Sequence, residues 1–223
     1  MKFLLSLTFI FIVSNICYSQ NRIMTKYISS EYHALFYEVV CQESGTSKGW
    51  AIIYDNSHHK ILKSQFNEIQ FSSDAGIDTN NVGLDTGYPD YIIYQDYNFD
   101  GIKDFAIINE LYGSCYGMRS YKIYLSSNRK FIFSPSFTKL TENYCDMFQV
   151  NYNKKIISTF IKDGCCWHQE EEFAIKKNIP VLISKVSFDY RENNGYCIET
   201  TEKLKKGVWI KNTKKIKLDS NYK

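Results

Sequence analysis

Short apolar, β-branched and aromatic runs recur through the second half of the chain at intervals of about eight to twelve residues, and this spacing constrains the fold most. The runs are Ser120 to Leu125, Lys130 to Phe133, Phe148 to Val150, Lys155 to Ile161, Glu171 to Ile175, Val181 to Phe188, Tyr196 to Thr200 and Gly207 to Lys211. Most are parted by turn chemistry, as at Ser126-Ser127-Asn128, Asn151-Tyr152-Asn153, Lys162-Asp163-Gly164 and Asn193-Asn194-Gly195. With only three prolines and few helical windows, the pattern predicts an all-β domain of antiparallel strands. No segment repeats strictly, so a sandwich-like arrangement is favoured, with a β-propeller as the alternative.

The first half is less regular. Between Arg22 and Gln42 the apolar residues fit a strand only in the second part, Ala34 to Cys41. Gly49 to Tyr54 reads as a strand, and Ile61 to Phe71 continues the sheet. Ser72 to Pro89 is polar and glycine-containing, with Asp74, Asp78, Asn80, Asn81 and Asp85, and is long for a structureless connection.

Residues 1–19 have a lysine at the start, an almost wholly apolar run from Phe3 to Val13, and a polar end with Ser19, which is the anatomy of a secretory signal. The run is shorter than the roughly 20 residues of a transmembrane helix, so the expectation is an exported protein, periplasmic or secreted. Residues 20–223 are then expected to form one domain. Removing Lys2 with the signal lowers the net charge from +3 to +2, which gives no overall pull toward nucleic acid. Seven lysines gather between Lys203 and Lys217, as a solvated strand face or a binding patch.

Beyond the signal stand Cys41, Cys115, Cys145, Cys165, Cys166 and Cys197. Six cysteines in an exported chain imply up to three disulfides, with 15 possible pairings. Neighbours Cys165 and Cys166 are expected to take separate partners, because a bond between adjacent residues is strained.

Asp96-Tyr97-Asn98-Phe99-Asp100-Gly101-Ile102-Lys103-Asp104 places oxygen side chains at alternate positions, then a glycine, then a carboxylate three further on. Calcium takes six to eight oxygens, and Asp96, Asn98, Asp100, the Ile102 carbonyl and Asp104 supply most of them. Flanking runs Tyr91 to Tyr94 and Phe105 to Ile108 make this a connection between strands, not half of a helical hand, and Ile107 stands where such a hand needs glutamate. An Asx-rich turn without metal is the alternative.

One strand downstream, Tyr112-Gly113-Ser114-Cys115-Tyr116-Gly117-Met118-Arg119-Ser120-Tyr121 mixes small and aromatic residues. A loop of this kind presents Gly113, Tyr116, Gly117, Arg119 and Tyr121 to a partner, since tyrosine and arginine dominate interface hot spots. A plain hairpin tip with its tyrosines packed on the sheet is the alternative. A third cluster, Cys165 to Glu172, would put His168, Glu170 and Glu172 on one face of a strand, as a solvated edge, an acidic stripe for a basic partner, or a second metal site. No serine or cysteine nucleophile pairs by motif with a histidine and an acid, so the expectation is a non-enzymatic protein.

The order of features from Asp96 to Phe105 through the glycine-containing loop to Ser120-Tyr121-Lys122-Ile123-Tyr124-Leu125 and Lys130-Phe131-Ile132-Phe133 resembles periplasmic immunity proteins similar to bacterial lysozyme inhibitors. The resemblance covers Tyr91 to Leu182. The Asp-x-Asn-x-Asp-Gly-x-x-Asp signature itself is shared with integrin-like calcium loops of the FG-GAP and VCBS type. The resemblance implies calcium at Asp96 to Asp104 and a loop at Gly113 to Tyr121 that enters the cleft of a peptidoglycan hydrolase. Related inhibitors carry Ser-Gly-x-x-Tyr there; this chain keeps the glycine-to-tyrosine spacing but has Tyr112 in place of the serine. The competing expectation is a calcium-dependent surface adhesion or glycan-binding module.

Overall fold

The computed structural model describes residues 19–41, 47–67, 91–110, 113–128, 130–191 and 195–218. Most of the expected signal (residues 1–18), the acidic stretch around Asp74 to Asp85, and Tyr112 lie outside them.

The described strands form three antiparallel meanders, a sandwich-like all-β fold without barrel or propeller closure. The first sheet runs in chain order through β1 (Ser19–Tyr27), β2 (Tyr32–Cys41), β3 (Ser47–Asp55) and β4 (Lys60–Asn67). Alternation is cleanest on β4, where Leu62, Ser64 and Phe66 face inward while Lys63 and Gln65 face solvent. Gly49 is compelled: a Cβ there would stand 2.0 Å from the Tyr37 carbonyl oxygen and against the Phe66 ring. β1 is the strand the pattern missed; its Ile23 and Tyr27, on this edge of the sheet, are exposed.

The second sheet orders β5 (Ile92–Gln95), β6 (Asp104–Glu110), β7 (Ser120–Ser127) and β8 (Lys130–Phe133). β6 is buried at every position from Asp104 to Asn109, which is why its sequence is nearly continuous in apolar residues rather than alternating. Tyr32 joins the first two sheets, meeting the rings of Tyr94, Phe105 and Phe131 edge-on at 5.6, 5.5 and 5.9 Å. Such aromatic pairs add about 0.5–1.5 kcal/mol each beyond their burial. The Tyr124 hydroxyl donates across the same joint to Ser64 Oγ at 2.9 Å.

Among the described residues one α-helix interrupts the strands, α1 (Pro135–Asn143), with proline in its first turn. β8 pairs β7 only from Tyr124 to Ser127. Beyond that, α1 supplies the partners: Tyr121 N–H donates to Thr141 Oγ1 at 2.9 Å and Ile123 N–H to Thr138 Oγ1 at 3.0 Å. Two threonines thus replace a strand edge, and because they read as polar in sequence the buried stripe Phe137, Thr138, Leu140, Thr141 gave no helical signal.

The third sheet is a six-stranded meander: β9 (Gln149–Asn151), β10 (Ile156–Asp163), β11 (Trp167–Lys176), β12 (Ile179–Asp189), β13 (Tyr196–Lys205) and β14 (Val208–Lys217). Ile157 and Phe173 join the same core as Phe36, Phe66, Phe105, Ile123 and Phe137. β11 lies between β10 and β12, so it is interior to the sheet and not the edge considered above.

Candidate functional site

Two loops flank β6. The first, between β5 and β6, closes on itself through its acids. Asp96 Oδ1 accepts the Phe99 N–H at 2.7 Å, and Oδ2 accepts that of Gly101 at 2.9 Å. Asn98 Oδ1 accepts from Asp100 N–H at 3.2 Å, and Asp100 Oδ1 from Ile102 N–H at 2.8 Å. The chain bends where Phe99 takes φ +64° and Gly101 φ +88°, the left-handed region. Asn98 Nδ2 donates to Asp100 Oδ2 at 2.9 Å and to Asn178 Oδ1 at 3.1 Å, which ties the loop to the β11–β12 turn.

Asp104 is fully buried at the start of β6 and bonds both ways: Oδ2 accepts the Tyr97 N–H and Oδ1 the Ser126 N–H, each at 2.8 Å. Burial pushes its carboxyl up to about 6, against the pull of those two bonds and with Asp100 and Asp96 raising it further. Among the described residues, no basic side chain is ion-paired with Asp96, Asp100 or Asp104.

The donor chemistry fits calcium. Asp96, Asn98, Asp100 and Asp104 offer only oxygen, and a carboxylate oxygen that accepts one N–H keeps a further lone pair. Among the described residues no three His, Cys, Asp or Glu side chains converge as a metal-holding group. A calcium ion here would also draw on the Asn98 side-chain oxygen and the Ile102 carbonyl.

The second loop, between β6 and β7, is held by three neighbouring segments. Gly113 has no room for a side chain, since a Cβ would stand 2.2 Å from Ser120 Oγ. Cys115–Gly117 forms one 3-10 turn, closed by Ser114 N–H to the Met118 carbonyl at 2.9 Å. A disulfide joins Cys115 to Cys145 across a separation of 30 residues, and the Cys145 N–H donates to the Phe160 carbonyl on β10 at 2.8 Å. Arg119 Nη2 donates to Asp146 Oδ2 at 2.8 Å, while Asp146 N–H donates to Ser114 Oγ at 3.1 Å.

Tyr116 stands at the crest with φ +53° and 57% exposure, followed by Gly117 at φ +69°. Its hydroxyl accepts the Gly164 N–H from the β10–β11 turn, and Lys162 Nζ lies 4.4 Å from its ring centroid. The exposed aromatic is thereby fixed at both ends, and Lys162, which the sequence reading missed, is the cation beside it. Its signal was three-dimensional, since 46 positions separate Tyr116 from Lys162.

Two expectations need correction. Tyr121 is only 1% exposed, a core side chain of β7, so it is not available to a partner. Cys165 and Cys166 are bonded to each other in the β10–β11 turn: Cys115 is taken by Cys145, and Cys197 is buried and unpaired on β13. In the third cluster, His168 lies against the rings of Phe160, Phe188 and Tyr190 at 5.8, 5.0 and 5.8 Å, an aromatic stack rather than a ligand array. Glu171, which alternation turns to the opposite face, is the buried acid, with Tyr144, Gln169 and Lys185 as its partners.

No protein-family model matches the chain, and no curated protein does. Among solved structures it is similar to a Xanthomonas type IV secretion system related protein, with a TM-score of 0.61 and 19% identity over 90% of this chain and 95% of that one. The two chains share a fold.

Among the described residues, no helix is long and apolar enough to cross a membrane.

Proposed function

We propose that this protein is an exported, non-enzymatic inhibitor that binds a peptidoglycan hydrolase through the Gly113–Arg119 loop, with the Asp96–Asp104 loop as a calcium-stabilised support. One observation carries the reading: Tyr116 is exposed yet immobilised, by the Cys115–Cys145 disulfide below it and by Gly164 and Lys162 beside it. A preformed loop loses little entropy on docking, which is how rigid inhibitors gain affinity. The cleft of a glycan hydrolase is a groove flanked by two carboxylates, and an aromatic wedge with an adjacent cation complements it.

Arg119 changes role in this reading. Its guanidinium is paired with Asp146, so it braces the loop, and Lys162 is the charge a cleft would meet first. Gly113 and Gly117 shape the loop rather than touch the partner. Calcium, when bound, would be held by Asp96, Asn98, Asp100, the Ile102 carbonyl and Asp104, and would supply positive charge beside the three carboxylates of the turn. The shared fold with a secretion-system related protein is compatible with a role in the cell envelope.

The test is turbidity clearing of cell walls by lysozymes of several types and by envelope hydrolases, with increasing amounts of the protein. Dose-dependent slowing that Tyr116→Ala removes is expected; failure against every hydrolase would overturn the proposal. A calcium-dependent glycan module is the competing reading, favoured by the Phe160, His168, Phe188 and Tyr190 stack, and it predicts direct binding to soluble glycan that chelation abolishes.

A further inference from the structure

The third sheet ends in a hairpin that the proposed function does not use. β13 and β14 turn through Lys206 and Gly207, both at positive φ (+49° and +82°), a tight two-residue connection. Every residue of β14 is exposed. Immediately after the turn come Val208, Trp209 and Ile210, exposed by 65, 41 and 50%. Three consecutive large apolar residues open to solvent are a liability that a soluble domain does not keep without use.

Pairing places Val208 opposite Lys205, Trp209 opposite Leu204, and Ile210 opposite Lys203. Strand alternation therefore puts Val208 and Ile210 with Lys205 and Lys203 on one face and Trp209 with Leu204 on the other, so each face of the hairpin end carries apolar residues. Lysines are interleaved with these residues. Further from the turn, Glu202 and Glu199 take Lys211 and Lys214 at 3.7 and 3.5 Å. Among the described residues no carboxylate is ion-paired with Lys203, Lys205 or Lys206. The acids are set back and the end of the hairpin is cationic.

We infer that the Lys203–Lys211 hairpin end docks this protein on an anionic lipid bilayer at headgroup level. Tryptophan is favoured at the membrane interface, and lysines there keep their charges among the headgroups while their stems and the apolar residues enter the acyl boundary. Charge complementarity selects an anionic surface. A second copy of the chain is a poor occupant, since two such ends would bring like charges together. An acidic segment added along the β14 edge would leave the apolar residues at the turn uncovered, whereas end-on contact with a bilayer covers both faces.

The experiment is co-sedimentation of the purified protein with vesicles of phosphatidylglycerol and phosphatidylcholine in equal parts, against phosphatidylcholine alone. At low ionic strength the partition coefficient should be about tenfold higher or more on the anionic vesicles and should fall as salt is added. Trp209→Ser and the double change Lys205→Glu with Lys206→Glu should each lower it by about tenfold, with melting temperatures held near that of the parent. Equal binding to both vesicles, or undiminished binding by the folded variants, overturns the inference. So does hairpin-dependent self-association without vesicles, or tighter capture by poly-glutamate than by phosphatidylglycerol.

Discussion

The two loops that flank β6 use their polar atoms in opposite directions. In Asp96–Asp104 the polar side chains bond within the loop or to β7: both oxygens of Asp96 and Asp104, Asn98 Oδ1 and Asp100 Oδ1 accept backbone N–H groups, Asp100 Oδ2 accepts from the Asn98 amide, and Asp104 is fully buried. In Gly113–Arg119 the bracing comes from outside, from Cys145, Asp146, Lys162 and Gly164, and the loop's own aromatic is left in solvent. A segment that satisfies itself has nothing over for a protein partner, whereas one satisfied by its neighbours can hold a side chain out. On the proposed reading the first loop stabilises and the second binds.

The largest effect that would break this contrast concerns the brace. Cys145→Ser opens a closed loop of 30 residues, which costs about 4 kcal/mol on loop-closure grounds. Denaturant unfolding should register that loss together with loss of hydrolase inhibition. If inhibition survives intact, the loop does not depend on its bracing.

Next is Asp104→Ala, which leaves the Tyr97 and Ser126 N–H groups unpaired in the core, at about 3 kcal/mol for the two. The same carboxylate carries a pH signature. Its folded-state value of about 6 lies above the 3.8 of an ordinary aspartate, so between those values the folded protein holds a proton that the unfolded chain has released. In metal-free buffer its contribution to stability should fall as pH rises from about 4 to 6, relative to Asp104→Asn. Calcium, which favours the charged form, should remove that slope.

The smallest effect on folding is expected at the loop rim. Asp100→Ala loses the bonds to the Ile102 N–H and to the Asn98 amide at an exposed position, about 1 kcal/mol, and should also abolish any rise in melting temperature on adding calcium. A calcium response undiminished in this variant would place the metal elsewhere.

Much of the architecture was legible because it rests on local signals. Runs such as Ser120 to Leu125 and Val181 to Phe188 fall inside β7 and β12, and glycine and asparagine turns part them. What escaped depends on partners distant in sequence. β1 leaves Ile23 and Tyr27 exposed, α1 hides its stripe behind Thr138 and Thr141, and Tyr121, which belongs to both the Ser120 to Leu125 run and the loop segment, is assigned to the core only by the fold. The acid loop was readable as a turn because its bonds span seven residues or fewer, apart from those to Ser126 and Asn178. The second loop offered Tyr116, but its setting of Cys145, Lys162 and Gly164 is assembled by the fold alone.

The central claim is that Tyr116 is a preformed wedge, and the direct measurement is titration of a susceptible peptidoglycan hydrolase with the parent protein and with Tyr116→Ala. The account predicts inhibition weakened by about 30-fold, roughly 2 kcal/mol, with the melting temperature nearly unchanged. Equal inhibition by the two proteins, with both folded, would contradict it.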